Sequence, residues 1–140
     1  MNYSDERILG GVASSAADPE RLNEDGFGAF ATRSGEPGPV VMLNLLRFKP
    51  DGGRERYLEY GAAAAPALER AGGRIVWAGQ PAAPLLGEQG WDMVALVEYP
   101  RRQSFLDMIG SPEYREIVHL RTEALERSEL HPMDAAEELP

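Results

Sequence analysis

The chain of 140 residues contains no cysteine and few basic side chains. The absence of cysteine excludes disulfide bonds, a thiolate nucleophile and metal sites held by cysteine. The 14 Lys and Arg stand against 23 Asp and Glu, a net charge of −9 that argues against nucleic acid or an anionic membrane surface as a partner. No apolar run approaches the roughly 20 residues of a membrane span, and no signal-like run follows Met1–Arg7. By elimination we expect a cytoplasmic protein.

The segment PVVMLNLLRFKP, residues 39–50, is apolar on both alternating faces of a predicted strand. The two faces carry Val41, Leu43, Leu45 and Arg47 on one side, and Val40, Met42, Asn44, Leu46 and Phe48 on the other. A strand with one solvent-exposed face should be polar on that face. Both faces of this strand should therefore be covered by other parts of the protein. Helices of a short chain can cover one face, and a second copy is the natural cover for the other. We therefore predict a homodimer formed sheet to sheet.

The chain divides into three predicted parts. Residues 1–38 form an N-terminal arm with a short helix from Asp18 to about Thr32, residues 39–133 the main domain, and residues 134–140 an acidic, solvated tail. The main domain is predicted to contain strands over 40–49, 74–79, 91–99 and 128–133, and helices over 54–71, 101–109 and 112–127. This order is the ferredoxin-like βαββαβ plan, an α+β fold with helices on one face of a four-stranded antiparallel sheet.

With these elements in order, residues 40–133 resemble a family built on a domain of unknown function, DUF1330, within the dimeric α+β barrel superfamily. The resemblance is carried by MLNLLRF (42–48), RYLEY (56–60), AGGRIVWAG (71–79), WDMVALVEYP (91–100), the helix Phe105–Ile109, SPEY (111–114), HLRT (119–122) and LERSEL (125–130). It implies the ferredoxin-like fold and its pairing as a dimeric α+β barrel. Superfamily relatives include cofactor-free oxygenases, small isomerases and haem-degrading proteins, so the resemblance implies no particular reaction.

Two polar side chains fall within apolar stripes. Asn44 lies on an apolar strand face, where its amide needs a partner from a neighbouring loop, the dimer partner or a ligand. Arg121 falls in the middle of the apolar stripe of the last predicted helix, so a carboxylate of the chain or an anionic ligand should lie opposite it. The surplus of acidic residues favours an internal carboxylate.

The remaining candidates have ordinary structural interpretations beside the functional ones. His119 is a candidate general base because imidazole titrates near neutrality, although solvent-facing or interface histidines are common. Alternation places Trp77 on the same strand face as Ile75, and Trp77 and Tyr99 could pack in the core or wall a pocket for a planar ligand. Arg47 could bind a carboxylate or pair with Glu98 or another acid. Glu116 and His119 have the spacing of half a di-iron site, but the other half is missing, so no metal is predicted.

Three functions remain open. The first is an enzyme without metal or nucleotide cofactor that acts on a small organic acid or planar metabolite, in a pocket of Asn44, Trp77, Glu98, His119 and Arg121. The second is a non-catalytic small-molecule binder or sensor, and the third is a purely structural homodimer. A cavity reached by Arg121 or His119 would favour the first two. A guanidinium saturated by an internal carboxylate, with no cavity nearby, would favour the third.

Overall fold

The computed structural model describes residues 20–137, which form one four-stranded antiparallel sheet and four helices. The elements are α1 (Glu24–Thr32), β1 (Val40–Phe48), α2 (Gly53–Arg70), β2 (Arg74–Gly79), β3 (Met93–Tyr99), α3 (Arg102–Ile109), α4 (Pro112–Ala124) and β4 (Leu125–Met133). The strands lie in the order β2-β3-β1-β4, and every neighbouring pair is antiparallel. The predicted α+β, ferredoxin-like fold is therefore confirmed. Across residues 20–137, no helix combines the length and the apolar character needed to span a bilayer.

The first helix begins later than predicted. Helix α1 starts at Glu24 and is capped by Asn23, whose side-chain Oδ1 accepts a 2.8 Å hydrogen bond from the backbone N–H of Gly26. The predicted start at Asp18 lies outside the described residues, and residues 20–23 are not helical. The Asn23 cap satisfies an otherwise unpaired N–H of the first turn, which is why the helix starts there.

The last helix is shorter and the last strand longer than predicted. Helix α4 ends at Ala124 instead of Arg127, because Leu125 has an extended backbone and pairs with Phe48 of β1. Leu125 is completely buried, so its place in the sheet core outweighs the helical pattern that the sequence continues. Strand β4 is an edge strand that contains Pro132, as predicted for the last segment.

The predicted faces of β2 are wrong in one respect. The register between β2 and β3 shifts between Ile75 and Trp77, so that Ile75 pairs with Val97 and Trp77 with Leu96. Val97 and Leu96 point to opposite faces of β3, and Ile75 and Trp77 therefore do the same. A bulge of this kind adds a residue to one strand and breaks simple alternation.

Within the described residues 20–137, the helices cover one face of the central strand β1. On that face Val40, Met42 and Leu46 are almost inaccessible to solvent, at 1%, 2% and 0% exposure. Leu43 and its neighbours on the opposite face are half-buried in the single chain. In the rest of the text, the open sheet face means the side that carries Val41, Leu43, Leu45, Val94, Leu96 and Trp77.

Both flanks of the main domain make specific contacts with it. Phe27 and Phe30 of α1 are buried in the main hydrophobic core, where the Phe30 ring packs edge-to-face on Phe105. At the other end, the Asp134 carboxylate accepts hydrogen bonds from Arg33 and from Arg102. The start of the acidic tail is thus tied to α1 and α3 and is not simply solvated. The boundaries proposed at residues 38 and 133 stay predictions.

Candidate functional site

A cavity of about 700 Å³ lies between the helix-covered face of the sheet and the helices. All four strands contribute to its walls, together with the segment 20–30, α2, α3 and α4. The side chains that dominate its apolar part are Phe27, Phe30, Met42, Leu68, Val97, Tyr99, Phe105, Met108 and Ile109. Exposed lining residues on α2 and β2, Gly61 and Ile75 among them, show that one opening lies between these elements.

The most polar part of this wall is a buried ion pair. Arg121 Nε on α4 donates a 2.9 Å hydrogen bond to Oε1 of Glu20, and the two side chains are only 10% and 7% exposed. Ser128 of β4 donates a second hydrogen bond, of 2.8 Å, to the same oxygen. The anionic partner predicted opposite Arg121 is therefore a carboxylate of the chain, from the segment before α1.

Arg121 remains a cation in this setting. Burial alone would lower its pKa, but the facing carboxylate of Glu20 and the nearby tyrosines Tyr57, Tyr60 and Tyr114 together outweigh that effect, and the pKa of Arg121 is raised above its ordinary value. The guanidinium also lies 6.0 Å and 5.7 Å from the ring centres of Tyr57 and Tyr60 on α2, within the range of cation–π attraction.

Tyrosine hydroxyls supply the next polar groups. The hydroxyls of Tyr60 and Tyr114 lie 2.8 Å apart and share a hydrogen bond, and the rings meet edge-to-face. Burial raises the pKa of Tyr57, Tyr99 and Tyr114. These phenols therefore stay protonated near neutral pH, where they can donate and accept hydrogen bonds but do not act as bases.

Asn44 faces the same cavity from the middle of β1. It is 7% exposed, and the one hydrogen bond of its side chain within residues 20–137 is a long contact of 3.4 Å from Nδ2 to the carbonyl oxygen of Met42. Its cross-strand neighbours are Ala95 and Leu130, which offer no polar side chain. Good N–H···O hydrogen bonds are shorter than about 3.2 Å, so the amide has unused capacity on the cavity side.

Asn44 and the ion pair lie in the same part of the cavity. Ser128 is opposite Leu46 and Asn44 is opposite Leu130, so Ser128 and Asn44 are diagonal neighbours on one sheet face. Such diagonal positions are about 7 Å apart. Tyr99, by contrast, is opposite Val40 at the start of β1 and packs on Phe105. The cavity thus has a polar end, formed by Glu20, Asn44, Tyr57, Tyr60, Arg121 and Ser128, and an aromatic, apolar end.

The structure brings together two of the five candidate residues predicted from the sequence, Asn44 and Arg121. His119 is exposed on the outer side of α4, and it does not line the cavity. Trp77 is 56% exposed on the open sheet face, where the bulge directs it. Glu98, on that same face, accepts a 3.1 Å hydrogen bond from Arg74. One pocket built from all five residues is therefore not present in the described chain.

Several residues of the cavity were not predicted. Glu20, Ser128 and Tyr114 carried no signal of their own, because an acid near a helix start, a strand serine and a helix tyrosine are common in any chain. Arg121 required an anionic partner, but the sequence could not say whether a ligand supplies it or which of the 23 acidic residues does. Arg47 forms an ion pair of 3.3 Å with Glu126, an acid other than Glu98. Within residues 20–137 no three metal-ligating side chains cluster together.

These observations define a small α+β protein of ferredoxin-like fold with a cavity between its sheet and its helices. The chain belongs to the family of the domain of unknown function DUF1330, whose model matches residues 52–130. No protein of curated function matches the chain in sequence.

Solved structures share this fold. A protein of unknown function from Rhodopseudomonas palustris is 36% identical, with a TM-score of 0.77 over 88% of this chain and 100% of its own. A hydroxynitrile lyase from Passiflora edulis is 16% identical, with a TM-score of 0.59 over 75% of this chain and 100% of its own. An uncharacterised NIPSNAP domain protein from Burkholderia xenovorans is 13% identical, with a TM-score of 0.53 over 72% of this chain and 98% of its own. At such low identity the last two support the fold alone.

Proposed function

We propose that this protein binds a small, planar and mostly apolar organic molecule in the cavity between sheet and helices. The observation that carries the proposal is the cavity itself: its volume of about 700 Å³ falls within the roughly 300–1,000 Å³ of ligand pockets. Aromatic rings at one end suit a flat ring system, and a few buried polar groups at the other end suit one hydrogen-bonding substituent.

The cavity argues against a purely structural role. A structural pairing accounts for Arg121, since Glu20 neutralises it. It does not account for Asn44, whose buried amide has one long hydrogen bond and faces the cavity. A buried polar group with unused capacity costs stability, and a bound molecule would supply the missing partner.

Catalysis without a cofactor is the second candidate function. The observation that favours it is the buried carboxylate of Glu20, which lines the cavity and could exchange a proton with a bound molecule beside the positive charge of Arg121. His119, predicted as the general base, lies on the exposed surface. Turnover of a bound compound by the wild-type protein, abolished in Glu20→Gln, would separate an enzyme from a binder.

Binding can be tested with 2-naphthol, a flat bicyclic phenol that is uncharged near neutral pH, by calorimetric titration. A glycine pair offers a matched control: Gly61 lines the cavity and Gly28 does not, and an added Cβ meets nothing within 4 Å at either site. We expect Gly61→Leu to weaken binding about tenfold or more, and Gly28→Leu to leave it unchanged. The proposal is wrong if wild-type protein binds neither 2-naphthol nor naphthalene, or if both variants behave alike.

We also propose that the protein pairs with a second copy of itself, sheet to sheet, as a dimeric α+β barrel. The support is the open sheet face, on which Leu43 and Leu96 are directly opposite each other and only half-buried, and Trp77 lies next to them. An apolar face of this kind is a usual site of protein contact. The cavity lies on the other side of the sheet and does not depend on this pairing. Cytoplasmic residence, and the absence of nucleic-acid and membrane partners, stay predictions.

A further inference from the structure

The buried charges at the polar end of the cavity cancel each other. The positive charge of Arg121 is met by the Glu20 carboxylate at 2.9 Å, and Ser128 donates a further hydrogen bond to that carboxylate. A ligand carboxylate placed here would leave water, would meet the negative charge of Glu20 and would have to compete with it for Arg121. The cavity therefore disfavours anionic ligands.

Asn44 adds an uncharged amide at this end. Its Nδ2 makes one 3.4 Å contact with its own strand, and its neighbours across the sheet are apolar. An amide offers both a donor and an acceptor, and Tyr57 and Tyr60 likewise carry hydroxyls rather than charges. A ligand substituent that matches these groups therefore both donates and accepts hydrogen bonds.

We infer that the cavity selects a neutral hydrogen-bonding substituent, such as a hydroxyl or a primary amide, and rejects carboxylates, with Asn44 as the residue that determines this specificity. The inference rests on the proposed function and narrows its ligand class to uncharged planar molecules. This ligand class differs from the organic acid predicted from the sequence, which would suit an Arg121 guanidinium without a carboxylate partner in the chain.

Three probes with the same ring system test this inference: naphthalene, 2-naphthol and 2-naphthoate, titrated near neutral pH. The wild-type protein should bind 2-naphthol more tightly than naphthalene, by about fivefold for one good hydrogen bond, and should bind 2-naphthoate more weakly than either. Asn44→Leu, close in size and apolar, should abolish the preference for 2-naphthol over naphthalene. Asn44→Ala tests the same point a second time, through the ratio of its affinities for 2-naphthol and for naphthalene.

A change at Glu20 tests whether its negative charge is what disfavours carboxylates. Glu20→Gln leaves Arg121 without its carboxylate, and the affinity for 2-naphthoate should then rise about tenfold or more. Equal affinity of the wild-type protein for 2-naphthoate and 2-naphthol would overturn the inference. So would an Asn44→Leu variant that loses naphthalene and 2-naphthol binding in equal proportion. In both cases ring binding persists in the wild type and the proposed function survives, whereas absence of all binding refutes the proposed function itself.

Discussion

Arg121 and Glu20 are 101 residues apart in the chain, yet their side chains meet at 2.9 Å and are shielded from solvent. The contact joins helix α4 to the segment that precedes α1, and it closes one side of the cavity. Desolvating two charges is costly, and their close approach and the added hydrogen bond from Ser128 help to compensate that cost. The pair therefore links the stability of the fold to the chemistry of the cavity.

Breaking this pair from one side should destabilise the protein strongly. Arg121→Met leaves a buried carboxylate and Glu20→Gln a buried guanidinium, so we expect each to lower the free energy of unfolding by about 3 kcal/mol. The double variant should lose clearly less than the two single losses together. Urea denaturation measures all three, and Arg70→Met, in the exposed Arg70–Glu113 pair, is the control with an expected loss below about 1 kcal/mol. Additive losses would show that the two charges do not interact.

The hydroxyl pair of Tyr60 and Tyr114 should contribute to stability in a coupled way. Each phenylalanine variant removes one partner of the 2.8 Å hydrogen bond and leaves the other hydroxyl unpaired, at a cost of about 1 kcal/mol. The Tyr60→Phe/Tyr114→Phe variant should cost little more than either single change. A thermodynamic cycle from chemical denaturation measures this coupling, and a double loss equal to the sum of the single losses would contradict it.

The carboxyl of Asp134 should make the free energy of unfolding depend on pH in strong acid. Hydrogen bonds from Arg33, then from Arg102, lower the pKa of its carboxyl from 3.8 to about 2. Because the folded-state pKa is depressed, the stabilisation is complete above pH 3.8 and is lost as the pH falls through about 2. Asp134→Asn should therefore flatten the loss of stability between these pH values. Asp51→Asn, at an exposed turn carboxyl, is the control, and an identical flattening there would contradict the assignment.

A charge on the open sheet face should prevent self-association. Leu96 lies between Leu43 of β1 and Trp77 of β2, so Leu96→Glu places a carboxylate in the middle of the apolar face. We expect the wild type to have twice the monomer mass in size-exclusion chromatography with light scattering, and the variant to have the monomer mass. Leu58→Glu, at a position 60% exposed on α2, should remain dimeric. A folded, monomeric wild type at micromolar concentration would refute the dimer.

Much of the fold was predictable because its signals are local. Strand β2 has the predicted bounds, and α2 differs by one residue at each end, since Pro50 to Gly53 and Gly72-Gly73 mark the turns on either side of the helix. The helix and strand boundaries that were predicted wrongly depend on the pairing of strands, which is not a local signal. Leu125 continues a helical pattern in sequence, but its partner Phe48 in β1 holds it in the sheet.

The candidate site was predictable only in part, for a related reason. Asn44 and Arg121 were identifiable because each interrupts an apolar stripe, which is a property of the sequence near them. His119 and Trp77 are candidates by their side-chain chemistry alone, and nothing in the sequence near them shows that α4 turns the histidine outward or that a bulge directs the indole to the open sheet face.

The sequence by itself determined the order of helices and strands, the two apolar faces of β1 and the need for an anionic partner opposite Arg121, either a carboxylate of the chain or a ligand. These follow from periodicity and from the cost of burying a charge, which act on residues close together in the chain. Only the tertiary structure decided that Glu20 is that carboxylate, and that Asn44 shares a cavity with it. Side chains 101 residues apart meet only when the packing of sheet and helices brings them together.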